Sequence, residues 1–412
     1  MVRLIVKNIG PIKDVDIELK KVNIFMGPQS CGKSTLAKII SFCSWLEKGN
    51  EDTAKAIAKG VVATLTQFHH MRGYFSEDSQ IAYWGEDVCL FYNMPETLPL
   101  TSFGECRSEH LHEKEFVFHK IQKTTNPKVA YIPAERNFVS VVPNLKKYAE
   151  KDDSLQSFVN DWFEAKRAYT EEKPLQLGIL NANYHYSPQT DTDTITTENQ
   201  PLFLSQSSSG LQSVTPLLAL LNYFSSGIYA ENKPFSPEEN QQMRNILSHV
   251  TNDLSNEMEQ QLIERIRGFL QGKVYTHTQF VIEEPEQNLF PETQCKLLYS
   301  LLSALNHGKS HRMVITTHSP YTLYALNNCI LANIVKEEMP KEEFDNLGCA
   351  NVIISPKDIA VREIERGKMK TYGKSSTSST IQDESGLIRQ NYFNQVMKTI
   401  MNDFNTMVAY KD

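Results

Sequence analysis

The stretch GPQSCGKST, Gly27 to Thr35, decides the reading of this 412-residue chain. It fits G-x-x-x-x-G-K-[ST] at every position, the pattern of a phosphate-cradling loop. Gly27 and Gly32 let the backbone curl so that the N–H groups of the loop, Ser30 and Cys31 among them, point at a phosphate. Lys33 would reach the β- and γ-phosphates, and the Ser34 hydroxyl would ligate Mg²⁺. Thr35 lies in the first turn of the following segment, whose positive N-terminal end would face the phosphates.

Such a loop needs a strand before it and a helix after it. VNIFM, Val22 to Met26, is a short apolar run ending at Gly27, and STLAKIISFCSWLEKG reads as a helix closed near Gly49. Ahead of them, LIVKNI and VDIELK read as two strands. Farther on, QIAYWGEDVCLFYN and KEFVFHKI look like antiparallel strands, and Val129 to Ile132 is a buried strand broken by Pro133. Residues 138–175 and 225–275 carry helical patterns and read as excursions from a core. SPQTDTDTITTENQ is a polar hairpin or loop. The last segment places Phe393, Val396, Met397, Ile400, Met401, Phe404 and Met407 at i, i+3, i+4 spacing, so it is expected to dock as a helix within a C-terminal element, 350–412, packed on the core.

Three further stretches carry chemistry. FVIEEPE, Phe280 to Glu286, is an apolar strand ending in two carboxylates. Glu283 would sit on the Mg²⁺ side, and Glu284 would polarise an attacking water. MVITTHSP, Met313 to Pro320, is another buried strand, ending at His318, which could contact a γ-phosphate and orient that water. SQSSSGLQ, Ser205 to Gln212, is a small polar turn entering a helix. Ser208, Ser209 and Gly210 there make an anion site suited to a neighbouring subunit's nucleotide, although a serine N-cap alone would look the same.

Composition sets limits. Apolar residues make up 40% and charged residues 22% of the chain, and the net charge is −7, so no bulk basic field exists for non-specific nucleic-acid binding. The seven cysteines are widely spaced with no CxxC, which fits a reducing cytoplasm better than a disulfide framework or zinc site. His110, His112 and His119 read as surface histidines rather than a metal site. No run of about 18 apolar residues suggests a membrane span.

The order of these motifs resembles the ABC-type ATPases of the SMC and recombination-repair branch. More closely, the chain resembles the stand-alone AAA-type ATPases grouped with the OLD family, many of them in bacterial anti-phage systems. IVKNIGPIKDVDIELKKVNIFMGPQSCGKST is similar to that family's opening, YIPAERN to its mid-domain segment, and SSGLQ to its signature motif. EEPEQNLFP and TTHSPY match its Walker B, D-loop and switch-histidine segments, and DESGLIRQNYFNQV its C-terminal element. The resemblance implies an α/β fold of the ABC-type P-loop NTPase kind spanning 1–412, with a mixed central sheet, an antiparallel β subdomain and helical insertions. It implies an ATPase using ATP and Mg²⁺, with Lys33, Glu284 and His318 as the catalytic set. Two subunits would sandwich two ATP molecules, each between one subunit's P-loop and the other's Ser208 turn, giving a homodimer or a higher even-numbered assembly. Two features depart from the ABC pattern: Glu283 replaces an aspartate, and SSGLQ replaces LSGGQ. Gln67 and Gln80 are the candidates for a Q-loop glutamine. The residues after His318 hold no DxD of a Toprim nuclease, so a nuclease or toxin effector is expected in a separate chain. A DNA-maintenance ATPase that clamps DNA is the alternative.

Overall fold

The computed structural model describes residues 2–49, 51–94, 106–112, 114–120, 122, 124–142, 145, 153–198, 200–230, 275–370 and 379–411. The expected excursion at 225–275 therefore lies almost wholly outside the described residues. So do parts of 138–175.

The chain opens with strands β1 (Val2–Ile9), β2 (Ile12–Leu19) and β3 (Val22–Met26), then helices α1 (Lys33–Leu46), α2 (Glu51–Lys59) and α3 (Val61–Phe68). An antiparallel group follows: β4 (Phe75–Trp84), β5 (Val88–Tyr92), β6 (Cys106–His112) and β7 (Glu115–Lys120). Next come β8 (Pro127–Ile132), α4 (Phe138–Val141) and α5 (Ser154–Lys166). A small sheet of β9 (Leu175–Leu177), β10 (Ala182–Ser187), β11 (Thr192–Thr197) and β12 (Gln200–Phe203) leads into α6 (Ser209–Ser225). After it stand β13 (His277–Glu283), α7 (Pro291–Ala304), β14 (Arg312–Thr317), α8 (Pro320–Val335) and α9 (Lys341–Asp345). Strands β15 (Ile359–Glu365) and β16 (Lys368–Lys370) and helix α10 (Tyr392–Val408) complete it.

Twelve strands form one mixed sheet in the order β6-β7-β5-β4-β1-β2-β16-β15-β3-β14-β13-β8. From β15 to β8 every neighbouring pair is parallel. Such strands are buried on both faces, which explains why VNIFM and HTQFVIE are unbroken buried runs. The outer half is antiparallel, and there β1 and β2 alternate in burial. The polar stretch at 187–200 is the β10–β11 hairpin and the start of β12.

The two sheet faces bury different halves of the same strands. Phe280, Ile282, Met313 and Ile315 face a core shared with Trp162, Phe158, Leu217, Phe224, Leu298 and Leu326, residues of α5, α6, α7 and α8. Val281 and Val314 face the other way, toward Leu36, Ile39, Ile40, Phe42 and Leu65 of α1 and α3. Truncating a fully buried side chain as large as Trp162 in such a core costs about 3–5 kcal/mol.

The C-terminal element divides. Strand β15 is integral, pairing with β3 from Ile359↔Val22 to Glu363↔Met26. Helix α10 forms as the periodicity predicts, but its stripe does not dock. Only Tyr392 and Phe393 pack against the core, and every residue from Asn394 to Lys411 is exposed. Periodicity reports that one face is apolar and not what covers it.

Candidate active site

Parallel pairing brings four strand ends together. In the sheet β3 lies beside β14, β14 beside β13, and β13 beside β8, with Met26↔Thr317, Thr316↔Glu283 and Ile282↔Ile132 in register. The loops leaving these carboxyl ends carry Gly27 to Ser34, His318, Glu283 with Glu284, and Arg136. Ligands of open α/β sheets bind outside the carboxyl ends of the strands.

The glycine loop is tightly wound. Gly27 has φ 140°, and a Cβ there would fall 2.2 Å from the Ile364 carbonyl oxygen of β15, so no other residue fits. Ser30 takes the left-handed φ of 58°, and Gly32, at φ 109°, caps α1. The buried Lys33 ammonium donates to the carbonyls of Gly27 at 3.0 Å and Pro28 at 2.7 Å. Burial lowers its pKa, so an anion brought to it would restore the favoured charge.

Strand β13 delivers the acids to different surroundings. Glu283 is buried, accepts a hydrogen bond from the Tyr131 hydroxyl at 2.6 Å and is also bonded by the Ser34 side chain. Burial pushes its carboxyl up despite those bonds. A hydroxyl and a carboxylate so joined are hard oxygen donors of the kind Mg²⁺ takes. Glu284 turns out of the strand through a left-handed φ of 44°, with its N–H donating to the Thr316 carbonyl at 2.9 Å. Its Oε1 lies 3.3 Å from His318 Nε2, and its Oε2 accepts from the Gln287 amide at 2.9 Å. The His318 bond first, then the Gln287 bond and the nearby Lys33 charge, outweigh burial and hold Glu284 down to about 2. It is therefore an ionised carboxylate, part-exposed, at the mouth of the sheet.

Sequence reasoning assigned no role to three residues that assemble this site. Arg136, fully buried, donates to the carbonyls of Ser213 at 3.1 Å, Glu283 at 2.9 Å, and Glu284 and Pro285 at 3.0 Å each. It thus fastens the end of β8 to α6 and to the acidic turn, and burial lowers its pKa to about 10. Tyr131 orients Glu283. Glu286 accepts the His318 backbone N–H at 2.5 Å and so fixes the entry to α8. The sequence signals for Tyr131 and Arg136 were the likeness of YIPAERN to the family's mid-domain segment and, for Arg136, a cation shortly after a buried strand.

The Ser208 turn is placed next to the acidic turn but faces solvent. Ser208 caps α6, accepting the Leu211 N–H at 3.4 Å, as its alternative reading foresaw, and Ser208 and Ser209 are exposed. A Cβ on Gly210 would lie 3.2 Å from the Asn288 carbonyl, so the turn rests against the segment after β13. Gln67 lines a separate cavity of about 430 Å³ with Phe42, Trp45 and His69, and Gln80 sits on β4 opposite Lys7. Among the described residues no group of three or more His, Cys, Asp or Glu could hold a metal ion, and no helix is long and apolar enough to cross a membrane. The side chains of His110 and His112 lie outside the described set.

The chain belongs to the AAA ATPase domain family, whose model matches residues 1–269. No curated protein matches it in sequence. Among solved structures it is similar to the SMC head domain from Thermotoga maritima, at 9% identity over 78% of this chain and 90% of that one, with a TM-score of 0.34. An Smc head domain with an extended coiled coil, from Pyrococcus furiosus and bound to the C-terminal domain of ScpA, matches at 10% identity over 98% and 99%, with a TM-score of 0.36. An ATP-binding cassette solved as a dimer in a post-hydrolysis state with ADP and Pi matches at 12% over 90% and 97%, with a TM-score of 0.31.

Proposed function

We propose that the chain is an ATP-hydrolysing switch that closes head-to-tail on ATP and controls a separate effector, a nuclease or toxin of an anti-phage system. The observation that carries the hydrolytic part is the Glu284–His318 pair. An ionised carboxylate is held by a histidine at the strand end beside the phosphate loop, where a water could be polarised for attack on a γ-phosphate.

Each residue has its task. The loop N–H groups and Lys33 would hold the β- and γ-phosphates, with the Lys33 ammonium exchanging its carbonyl bonds for phosphate oxygens. Ser34 and Glu283 would hold Mg²⁺, which supplies neutralisation of phosphate charge. Glu284 would take up the water's proton as the water attacks, and His318 would keep the carboxylate and the γ-phosphate aligned. The leaving group is ADP.

The Ser208, Ser209 and Gly210 turn supports a composite site, because both serines are exposed and offer hydroxyls at a helix N-terminus. Phe290, 81% exposed beside that turn, is a side chain such closure would cover. The effector role rests on the resemblance to OLD-related defence ATPases.

Mixing two inactive variants tests the composite site. Lys33→Ala cannot hold phosphate, and Ser208→Arg cannot accept the neighbour's nucleotide. Each alone should show no turnover, and the mixture should regain it. If Ser208→Arg alone hydrolyses ATP as fast as the wild type, the head-to-tail reading is wrong.

A further inference from the structure

Helix α10 leaves the body of the protein as an amphipathic rod. Its start is firmly held. Asn391 caps it, the Tyr392 N–H donates to Glu363 at 2.9 Å, and the Asn394 amide reaches the Tyr324 hydroxyl of α8 at 3.4 Å. From Val396 to Lys411 every residue is exposed. Among them, Val396, Met397, Ile400, Met401, Phe404, Met407 and Val408 are between 39% and 66% exposed and form one stripe. Seven such side chains offer roughly 700 Å² of surface, more than the largest apolar patch of an ordinary monomer.

We infer that this stripe is a self-association surface, and that two copies of the chain pair through α10 independently of nucleotide. Three observations select a second copy as the occupant. Phe393, Met397, Ile400, Phe404 and Met407 follow one another at spacings of four, three, four and three, the repeat that lets one helix seat its side chains in the holes of another. Among residues 392–408 only Lys398 and Asp403 are charged, with opposite signs, so copies meet without repulsion while a nucleic acid or a charged peptide finds nothing to pair with. The area on offer is also close to the about 800 Å² per partner of a stable interface.

This contact is distinct from closure on ATP. Helix α10 is tied at its root to Glu363, which stands opposite Met26 at the end of β3, and to α8, which begins just after His318. Because the stripe begins beyond that root and uses neither the phosphate loop nor the Ser208 turn, the pairing would hold two ATPase units together in every nucleotide state.

Sedimentation velocity of the full chain without nucleotide tests it. At about 20 µM the wild type should be a dimer. Ile400→Asp with Phe404→Asp should shift it to monomer, weakening association by at least ~100-fold, about 2.7 kcal/mol or more. Lys398→Glu, on the polar side, should leave it dimeric. Because these side chains are exposed in their own chain, ATP binding should not change, and the melting temperature should fall only by what loss of the dimer removes. As a second measurement, Ile400→Cys should cross-link between copies on mild oxidation where the wild type does not. A monomeric wild type, or a doubly charged variant with wild-type mass and no Ile400→Cys cross-link, would overturn the proposal. Either result leaves the ATP-dependent closure untouched, since that is read only with Mg-ATP.

Discussion

At the residue scale, the chemistry rests on how two adjacent glutamates are separated. Glu283 remains in the strand, buried and bonded by Tyr131 and Ser34. Glu284 leaves it through a left-handed turn toward His318. Replacing His318 by alanine removes the bond that keeps the Glu284 carboxylate aligned. Turnover should fall on the order of 10²-fold while ATP binding persists, as separate binding and rate measurements would show. Arg136→Ala should act differently. It strips donors from four carbonyls and leaves them buried, costing roughly 3–5 kcal/mol in denaturant unfolding, and Arg136→Lys should not restore it because one ammonium cannot fork to all of them. Lys33, Ser34, Glu284 and His318 were legible as candidates because each sits in a short local motif at the end of an apolar strand. Arg136 was not, since its acceptors lie far along the sequence and are backbone atoms.

At the element scale, α1 is fixed at both ends. Its start is the glycine loop, and its C-cap Glu47 accepts N–H bonds from Glu86 and Asp87 at 2.8 Å each and the Tyr83 hydroxyl at 3.1 Å, which ties the helix to the β4–β5 turn. Burial of Glu47 outweighs these bonds and raises its pKa from 4.5 to about 7. An acid with a raised folded pKa contributes stability that is full below about 4.5 and lost as pH rises through about 7. Glu47→Gln should therefore flatten the decline in unfolding free energy between pH 5 and pH 8 by up to roughly 3 kcal/mol, checked by urea unfolding at several pH values. Strands and helices near the glycine loop were readable because their apolar patterns are local. That β15 completes the sheet beside β3 was not, because such pairing joins residues some 340 positions apart and leaves no mark in either stretch. Nor could periodicity tell that α10 stands free of its own core.

At the scale of the whole molecule, one parallel half-sheet gathers the site, and in the proposed head-to-tail pair one outward turn, at Ser208, would complete it for a neighbour. Closure on ATP and opening on hydrolysis would make the assembly's shape report its nucleotide. Tagged Glu284→Gln protein, locked with Mg-ATP and expressed beside its native gene neighbours, should then co-purify with a stoichiometric nuclease or toxin partner. Recovery of DNA alone would favour the DNA-clamping alternative. The measurement that bears most directly on the central claim is steady-state Mg-ATP turnover by the wild type against Glu284→Gln. The expected result is clear turnover in the wild type and a loss of about 10²–10⁴-fold in the variant, with ATP binding retained. Equal turnover in the two proteins would contradict Glu284 as the residue that activates the water, and with it this account of the site.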